Sequence, residues 1–329
     1  MTETDIAQMA PTVLLTGPTS GIGAAMLDRL IDHPARPTLV LLARDAAALD
    51  HATRKARAAG LAATGIPPAL SDLGSVRRVL ESLSALIDSG DIPRIDVAML
   101  NAGAQFISRR KTGAQGHELT FTVNVIAQHL LLRGLEPLLA TAGHAIVMAS
   151  STHRGKKASF NLVPDPRWEG PAAMAMAEAS TNQPVRFADE REKGGVAYAT
   201  SKLALVTLSH DWAERLAASG RRLNAYDPGL VAGTGLGKDM PGYMYWVWKR
   251  LMPAMSVLPG ATTPRTTARH AVELAMGDAH PTLHDGYVEI GRITGAEAVT
   301  FDESRRRELW QWLDSAVAEW LPREVEVEL

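Results

Sequence analysis

The chain has 329 residues, 46% hydrophobic and 21% charged, with a net charge of −2 and a pI near 6.6. This is the balance of a globular protein with ample length for a large core, and it implies no bulk attraction to nucleic acid or anionic membrane. There is no cysteine, which excludes disulfides, thiolate nucleophiles and Cys-ligated zinc and is compatible with a reducing, cytoplasmic setting.

Residues 1–10 read as a mobile tail without the basic-then-apolar pattern of a signal peptide. Thr12–Thr16 is a compact apolar run, a buried strand, that runs into Gly17-Pro18-Thr19-Ser20-Gly21-Ile22-Gly23 and then into a helical period. Strand, glycine loop and helix in that order aim free N–H groups and a helix dipole at a phosphate. A second buried strand, 38–43, ends at Arg44-Asp45. In a doubly wound sheet this strand end faces the adenosine ribose, where Arg44 suits a 2′-phosphate and hence NADP, and Asp45 reads as a helix N-cap. The stretch 65–70 holds two prolines, which confine a third strand to a sheet edge. Asp72 follows it and reads equally as an adenine acceptor or as the cap of a helix over about 75–87.

Residues 95–100 form a fourth strand opening into Asn101-Ala102-Gly103, a short amide and a glycine that admit a flat ligand or make a simple turn. Residues 118–140 carry helical periodicity with Asn124 inside; a buried Asn implies a specific hydrogen bond. The fifth strand, 145–149, ends in Ser150-Ser151-Thr152, hydroxyls at the mouth where α/β sheets bind ligands. Tyr198 and Lys202 are four apart and share a helix face. An ammonium beside a phenol favours the phenolate. Bringing a phenol from ~10 to near neutrality takes roughly 4 kcal/mol of differential interaction. A phenol so tuned exchanges protons with a substrate oxygen at cellular pH. Beyond it lie a sixth strand, 222–227, a seventh, 286–291, and an amphipathic helix, 305–321, with Leu309, Trp312, Leu313, Ala316 and Trp320 on one side. The ten histidines show no metal spacing, and no Gly-x-Ser-x-Gly elbow or Walker loop is present.

Taken in order, Thr16-Gly17-x-x-x-Gly21-Ile22-Gly23, Asn101-Ala102-Gly103, Asn124, Ser151, Tyr198-x-x-x-Lys202 and Pro228-Gly229 resemble the short-chain dehydrogenase/reductase family across roughly residues 11–290. Arg44-Asp45 and Gly116-x-Glu118-x-x-Phe121-x-Val123-Asn124 are most similar to its retinol-dehydrogenase and protochlorophyllide-reductase-like branch. The resemblance implies hydride transfer between a nicotinamide and a carbonyl or alcohol carbon. By that analogy Tyr198 is the general acid/base, Ser151 orients the substrate oxygen with Ser150 as the alternative, Lys202 holds the nicotinamide ribose, and Asn124 anchors a relay water. Gly17, Gly21, Ile22 and Gly23 would cradle the pyrophosphate, and Ser20 and Arg44 the 2′-phosphate. Asp72, Asn101, Ala102 and Gly103 would line the adenosine side, with Pro228, Gly229 and Thr234 near the carboxamide.

The implied fold is a Rossmann-type, doubly wound parallel sheet of seven strands in one domain, 11–300, followed by a C-terminal helix and tail, 301–329. It carries an insertion at 153–195 and a helical substrate lid at 236–264. The insertion sets Ser151 and Tyr198 47 positions apart, against the family's usual dozen, and reads as a substrate wall or a surface excursion. The aromatic stretch 243–253 suggests a bulky, largely apolar substrate; peripheral membrane docking and core or oligomer packing are its other readings. The expectation is thus an NADP(H)-dependent reductase or dehydrogenase of a small carbonyl or alcohol, with a homo-oligomer possible. Non-redox chemistry on the same fold (lyase, epimerase or cyclase) and a silent nucleotide-binding sensor are the alternatives.

Overall fold

A computed structural model describes residues 10–159, 161–178, 187–231 and 261–322. The first half alternates strand and helix: β1 (Thr12–Thr16), α1 (Gly21–Ile31), β2 (Thr38–Leu42), α2 (Ala46–Ala58), β3 (Ala63–Ile66), α3 (Leu73–Asp88) and β4 (Ile95–Leu100). The strands are near-continuous apolar runs because both faces are covered. Leu14, Val40, Leu42, Ala98 and Leu100 pack to one side with Leu80, Leu131 and Trp212. Val13, Leu15, Leu39, Leu41, Val97 and Met99 pack to the other with Met26, Leu30 and Val272. Alternate residues of each strand thus serve two cores.

β5 (Leu139–Met148), β6 (Arg222–Asp227), β9 (Tyr287–Glu289) and β10 (Arg292–Thr294) complete one sheet of eight strands, in the order β10-β9-β6-β5-β4-β1-β2-β3. Every pairing is parallel except β9 with β10. The expected seven parallel strands are there, and an antiparallel eighth adds a hairpin edge. Chain order reverses between β1 and β4, so their carboxyl ends form the crevice where doubly wound sheets bind ligands. A two-stranded ribbon, β7 (Leu230–Val231) with β8 (Ala261–Thr262), stands apart from the sheet. Residues 232–260, which hold most of the expected lid and its aromatic stretch, lie outside the described residues.

Three expectations shift. β3 ends at Ile66, before Pro67-Pro68, because neither proline can donate to the ladder; it is the edge strand expected. The helix expected over 118–140 is α4 (Leu119–Phe121), a π-helical turn at Thr122–Ile126 and α5 (Ala127–Leu135), closed by a 3-10 turn containing Pro137. β5 starts directly after it, six residues earlier than its apolar core suggests. In the insertion, short turns and α6 (Pro171–Met174) lead to α7 (Phe187–Ala217), whose first turns belong to the insertion itself. α8 (Pro264–Met276) packs beside α1. α9 (Glu303–Val317) buries Leu309, Leu313 and Val317, while Arg306 pairs with Asp211 on α7 at 2.8 Å.

Candidate active site

The glycine loop is shaped by contacts that leave no room for side chains. Gly17 has φ +71°, and a Cβ on Gly23 would stand 1.9 Å from the Gly17 carbonyl oxygen. Gly21 has φ +56° and faces open space. Ser20 is the N-cap residue of α1, yet its side chain makes no capping bond, and no acidic residue occupies the first turn. The first-turn N–H groups therefore keep their attraction for an anion. Ile22 packs at the rim of the core beneath.

Across the crevice, Asn101 Nδ2 donates to the Thr16 carbonyl at 2.9 Å, and Ala102 N donates to Thr16 Oγ1 at 2.8 Å. Asn101 is thus a clamp between the ends of β1 and β4, beside the glycine loop. Arg44 is exposed just beyond β2 and has no hydrogen bond or ion pair among the described residues. Asp45 caps α2 through Ala48 N at 3.0 Å. Asp72 caps α3 through Gly74 N at 3.0 Å, and the same oxygen accepts from Gln115 at 3.1 Å. That bond, with the capping amides and Arg78, holds the Asp72 carboxyl below its ordinary range. Of its two readings, the cap is the one with a bond.

The π-helical turn places Asn124 between the 102–104 loop and α7. Its Oδ1 accepts from Ala104 N at 2.8 Å, while Nδ2 donates to Ala104 O at 2.8 Å and to Ser201 Oγ at 2.9 Å. Ser201 in turn donates to the Tyr198 carbonyl at 2.7 Å. These bonds tie the Asn124 side chain to the scaffold that carries Tyr198. A Cβ on Gly103 would meet Asn124 Oδ1 at 3.2 Å and Lys202 Nζ at 3.6 Å, so this glycine lets the loop approach both.

Tyr198 and Lys202 do share a face of α7, with the ammonium 5.8 Å from the ring centroid. Lys202 Nζ donates to the Met148 carbonyl at 2.6 Å, which hangs it from the end of β5. Of the two serines, Ser150 is the one whose side chain acts on the Tyr198 phenol, lowering it; its Oγ also accepts from Thr152 Oγ1 at 3.1 Å. Ser150 is the last extended residue (φ −166°, ψ 142°), and Ser151 opens a 3-10 turn, so the chain changes direction between the two hydroxyls. Tyr198 keeps some accessible surface but lies deep among neighbouring atoms; burial pushes its phenol up to about 12, against the Ser150 hydrogen bond. The depression expected from Lys202 does not appear: burial and the charge of Asp227 raise the phenol, and Ser150 alone opposes them. Burial also brings the Lys202 ammonium down to about 8, opposed by the charge of Asp227.

Asp227 was read only as the end of a strand. It is fully buried, and burial raises it to about 6. Its neighbours Pro228-Gly229 turn the chain, with Gly229 at φ +69° and its N–H on Asp227 Oδ1 at 2.9 Å. Thr234 lies outside the described residues. The sole sequence signal for Asp227 was a charge in an otherwise buried strand next to a Pro-Gly turn.

The insertion lies against this helix. Arg167 N donates to Thr200 Oγ1 at 2.9 Å, and a Cβ on Gly195 would meet Pro164 Cδ at 2.6 Å. Gly194 lets the Phe106-Ile107 backbone approach as closely. Cavities of about 340 and 550 Å³ open beside the insertion, lined respectively by Trp168 and Leu203 and by His117 and Trp312; neither is lined by Tyr198 or Lys202. No metal-binding cluster occurs among the described residues, and none of their helices is long and apolar enough to cross a membrane.

Comparison with known proteins gives the same picture. The profile of the family described as short chain dehydrogenase matches residues 11–163. A Streptomyces sp. (strain C5) protein, named as a proposed daunorubicin C-13 ketoreductase, is 30% identical over 94% of this chain and 93% of its own length. Human retinol dehydrogenase 13 is 27% identical over 91% of this chain and 82% of its own. Among solved structures, the angucycline C-6 ketoreductase LanV with bound NADP has a TM-score of 0.62 at 19% identity, covering 85% of this chain and 94% of that one. A short chain dehydrogenase of Burkholderia cenocepacia J2315 in complex with NADP has a TM-score of 0.61 at 18% identity, covering 85% and 96%. This chain belongs to the short-chain dehydrogenase/reductase family of oxidoreductases.

Proposed function

We propose that the protein is an NADP(H)-dependent oxidoreductase that interconverts a carbonyl and an alcohol on a bulky, largely apolar small molecule. The observation that carries this reading is the joint placement of Tyr198, Lys202 and Ser150 at the mouth of the sheet, across from an uncapped glycine loop.

The residues present fit the dinucleotide. Gly17, Gly21, Ile22 and Gly23 would hold the pyrophosphate at the start of α1, Ser20 and the exposed Arg44 the 2′-phosphate, and Asp72, Ala102 and Gly103 the adenosine side. Asn101 would act by fixing the loop, Tyr198 and Lys202 would meet the nicotinamide ribose, and Pro228 and Gly229 the carboxamide. When bound, NADP(H) supplies or takes up the hydride. The protein's own part is proton transfer. In the reductive direction Tyr198 gives its proton to the substrate oxygen while Ser150 hydrogen-bonds the same oxygen, replacing Ser151 in that role. The Lys202 ammonium offsets the phenolate left behind. Asn124 keeps Tyr198 in register through Ser201.

The relatives' names support a bulky substrate: daunorubicin and retinol are both large, and retinol is mostly apolar. The insertion 153–195, bonded to Thr200 through Arg167 N and with Pro164 folded back on Gly195 of α7, is positioned to serve as a wall of the pocket.

Turnover of a panel of bulky ketones and aldehydes with NADPH and NADH tests the function. A charge-assisted contact worth roughly 1.5–3 kcal/mol gives on the order of 10- to 100-fold preference for NADP(H), which Arg44→Ala should remove. No preference in the wild type sinks the cofactor assignment, and no turnover across the panel sinks the reaction class.

A further inference from the structure

Asp227 closes β6 with no exposed surface, and the reaction above makes no use of it. Its Oδ2 accepts from the Tyr287 hydroxyl at 2.6 Å and its Oδ1 from Gly229 N at 2.9 Å, so the carboxylate braces the Pro228-Gly229 turn on one side and β9 on the other. Met148 pairs with Tyr226 in the β5–β6 ladder, and Ala149 N donates to the Tyr226 carbonyl at 2.8 Å. That register sets Asp227 opposite Ala149, one residue beyond Met148, whose carbonyl holds Lys202. A second path joins the same groups: Tyr287 Oη lies 3.4 Å from His153 Nδ1, which donates to the Ser150 carbonyl at 2.7 Å.

The charges around Asp227 are unevenly matched. On β9 it faces Tyr287 and Glu289, and on the turn after β5 His153 and Arg154. On α7 its charge reaches Tyr198 and Lys202, while His210 of that helix is bonded to Asp285 and Thr300, and Tyr226 precedes Asp227 on its own strand. Arg154 is already paired with Glu289 at 2.7 Å and lies over the Tyr287 ring. Lys202 has no carboxylate within bonding distance among the described residues; its bond is to a carbonyl.

We propose that Asp227 is a positioning residue of the reaction, its ionised carboxylate holding Lys202 as an ammonium and, through that pair, setting the protonation of Tyr198. The inference rests on the reading of Tyr198 as acid/base. Burial places Asp227 at about 6, so it is charged at pH 7. Its charge raises Lys202, which would otherwise fall further below about 8, and it raises Tyr198 as well. Removing the charge lowers both. Above neutral pH the site would lose first the ammonium and then the proton Tyr198 must give.

The test is the alkaline limb of kcat/KM for NADPH-driven reduction of a substrate found with the panel. Asp227→Asn, which keeps the shape and loses the charge, should move that limb to lower pH by about one unit, the scale of a close charge–charge interaction. Tyr287→Phe removes the same hydrogen bond but leaves the charge, and should leave the limb in place. A limb unmoved by Asp227→Asn, or moved as far by Tyr287→Phe, overturns the proposal. If Asp227→Asn does not fold, the Lys202 ε-carbon resonance of the wild type decides, assigned by its loss in Lys202→Arg. An inflection at 8 or above supports the role, and one below 7 overturns it. Tyr198→Phe separates the two readings. Full activity there defeats the acid/base assignment, whereas an inactive Tyr198→Phe with an unmoved Asp227→Asn profile defeats the role of Asp227 alone.

Discussion

Exchanging Asn124 for aspartate keeps the outline of the side chain and replaces one amide nitrogen by oxygen. The bond from Ala104 N to Oδ1 survives, but the Ala104 carbonyl and Ser201 Oγ, at 2.8 and 2.9 Å, then face an acceptor. Ser201 cannot turn its hydrogen to the newcomer without dropping the Tyr198 carbonyl at 2.7 Å. Two lost neutral bonds cost roughly 1–3 kcal/mol, and a carboxylate at a position 1% exposed adds about 1–3 more. Asn124→Ala, which leaves the partners unpaired but unopposed, should cost about 2–3 kcal/mol. Urea unfolding followed by tryptophan fluorescence at pH 7.5 measures both. Burial would raise the new carboxyl above its unfolded value, so its penalty is absent at low pH and grows as pH rises through the folded value. The aspartate variant should therefore recover part of its stability at pH 5, where the protonated acid donates again. A variant within about 0.5 kcal/mol of the wild type at pH 7.5 refutes the scaffold role. A penalty equal at both pH values refutes the electrostatic part of the reasoning.

Other consequences follow from the same geometry. Ser150→Ala should lower kcat on the order of 10- to 100-fold, the worth of one well-placed hydrogen bond at the reacting oxygen, while Ser151→Ala leaves it within about two-fold; steady-state kinetics with one ketone distinguishes them. His144 is locked as a neutral ring, with Nδ1 on the Ala275 carbonyl at 3.2 Å and Asn224 Nδ2 on Nε2 at 2.8 Å, and burial lowers it to about 4. Its folded value lies below the unfolded one, so its contribution is full above pH 6.5 and is lost as pH falls toward 4, about 3 kcal/mol in all. Urea midpoints of wild type and His144→Gln from pH 7 to 4.5 should show a shallower loss in the variant.

Much of this site was legible because the sequence imposes it locally. The Gly17-to-Gly23 spacing, the buried runs of β1, β2 and β4, and the i,i+4 pair on α7 each follow from steric or periodic rules acting over a few residues. What escaped depends on the partner strand or on a local break in period. Asn124 sits in a π-helical turn that helical periodicity cannot distinguish from continuous helix. The choice between Ser150 and Ser151 turns on where β5 gives way to a 3-10 turn, one peptide either way. Asp227 carries meaning only once β9 places Tyr287 beside it. Residues 153–195 read equally as a substrate wall or an excursion because their ties to α7, a backbone N–H on the Thr200 hydroxyl and Pro164 against Gly195, are single contacts that leave little pattern in composition.

The most direct measurement is single-substrate turnover by Tyr198→Phe, with NADPH binding followed separately by fluorescence. Loss of the phenolic proton with the ring retained should lower kcat by roughly 10²- to 10⁴-fold while the NADPH Kd stays within about two-fold of wild type. Turnover equal to wild type in a variant that binds NADPH normally would contradict the account.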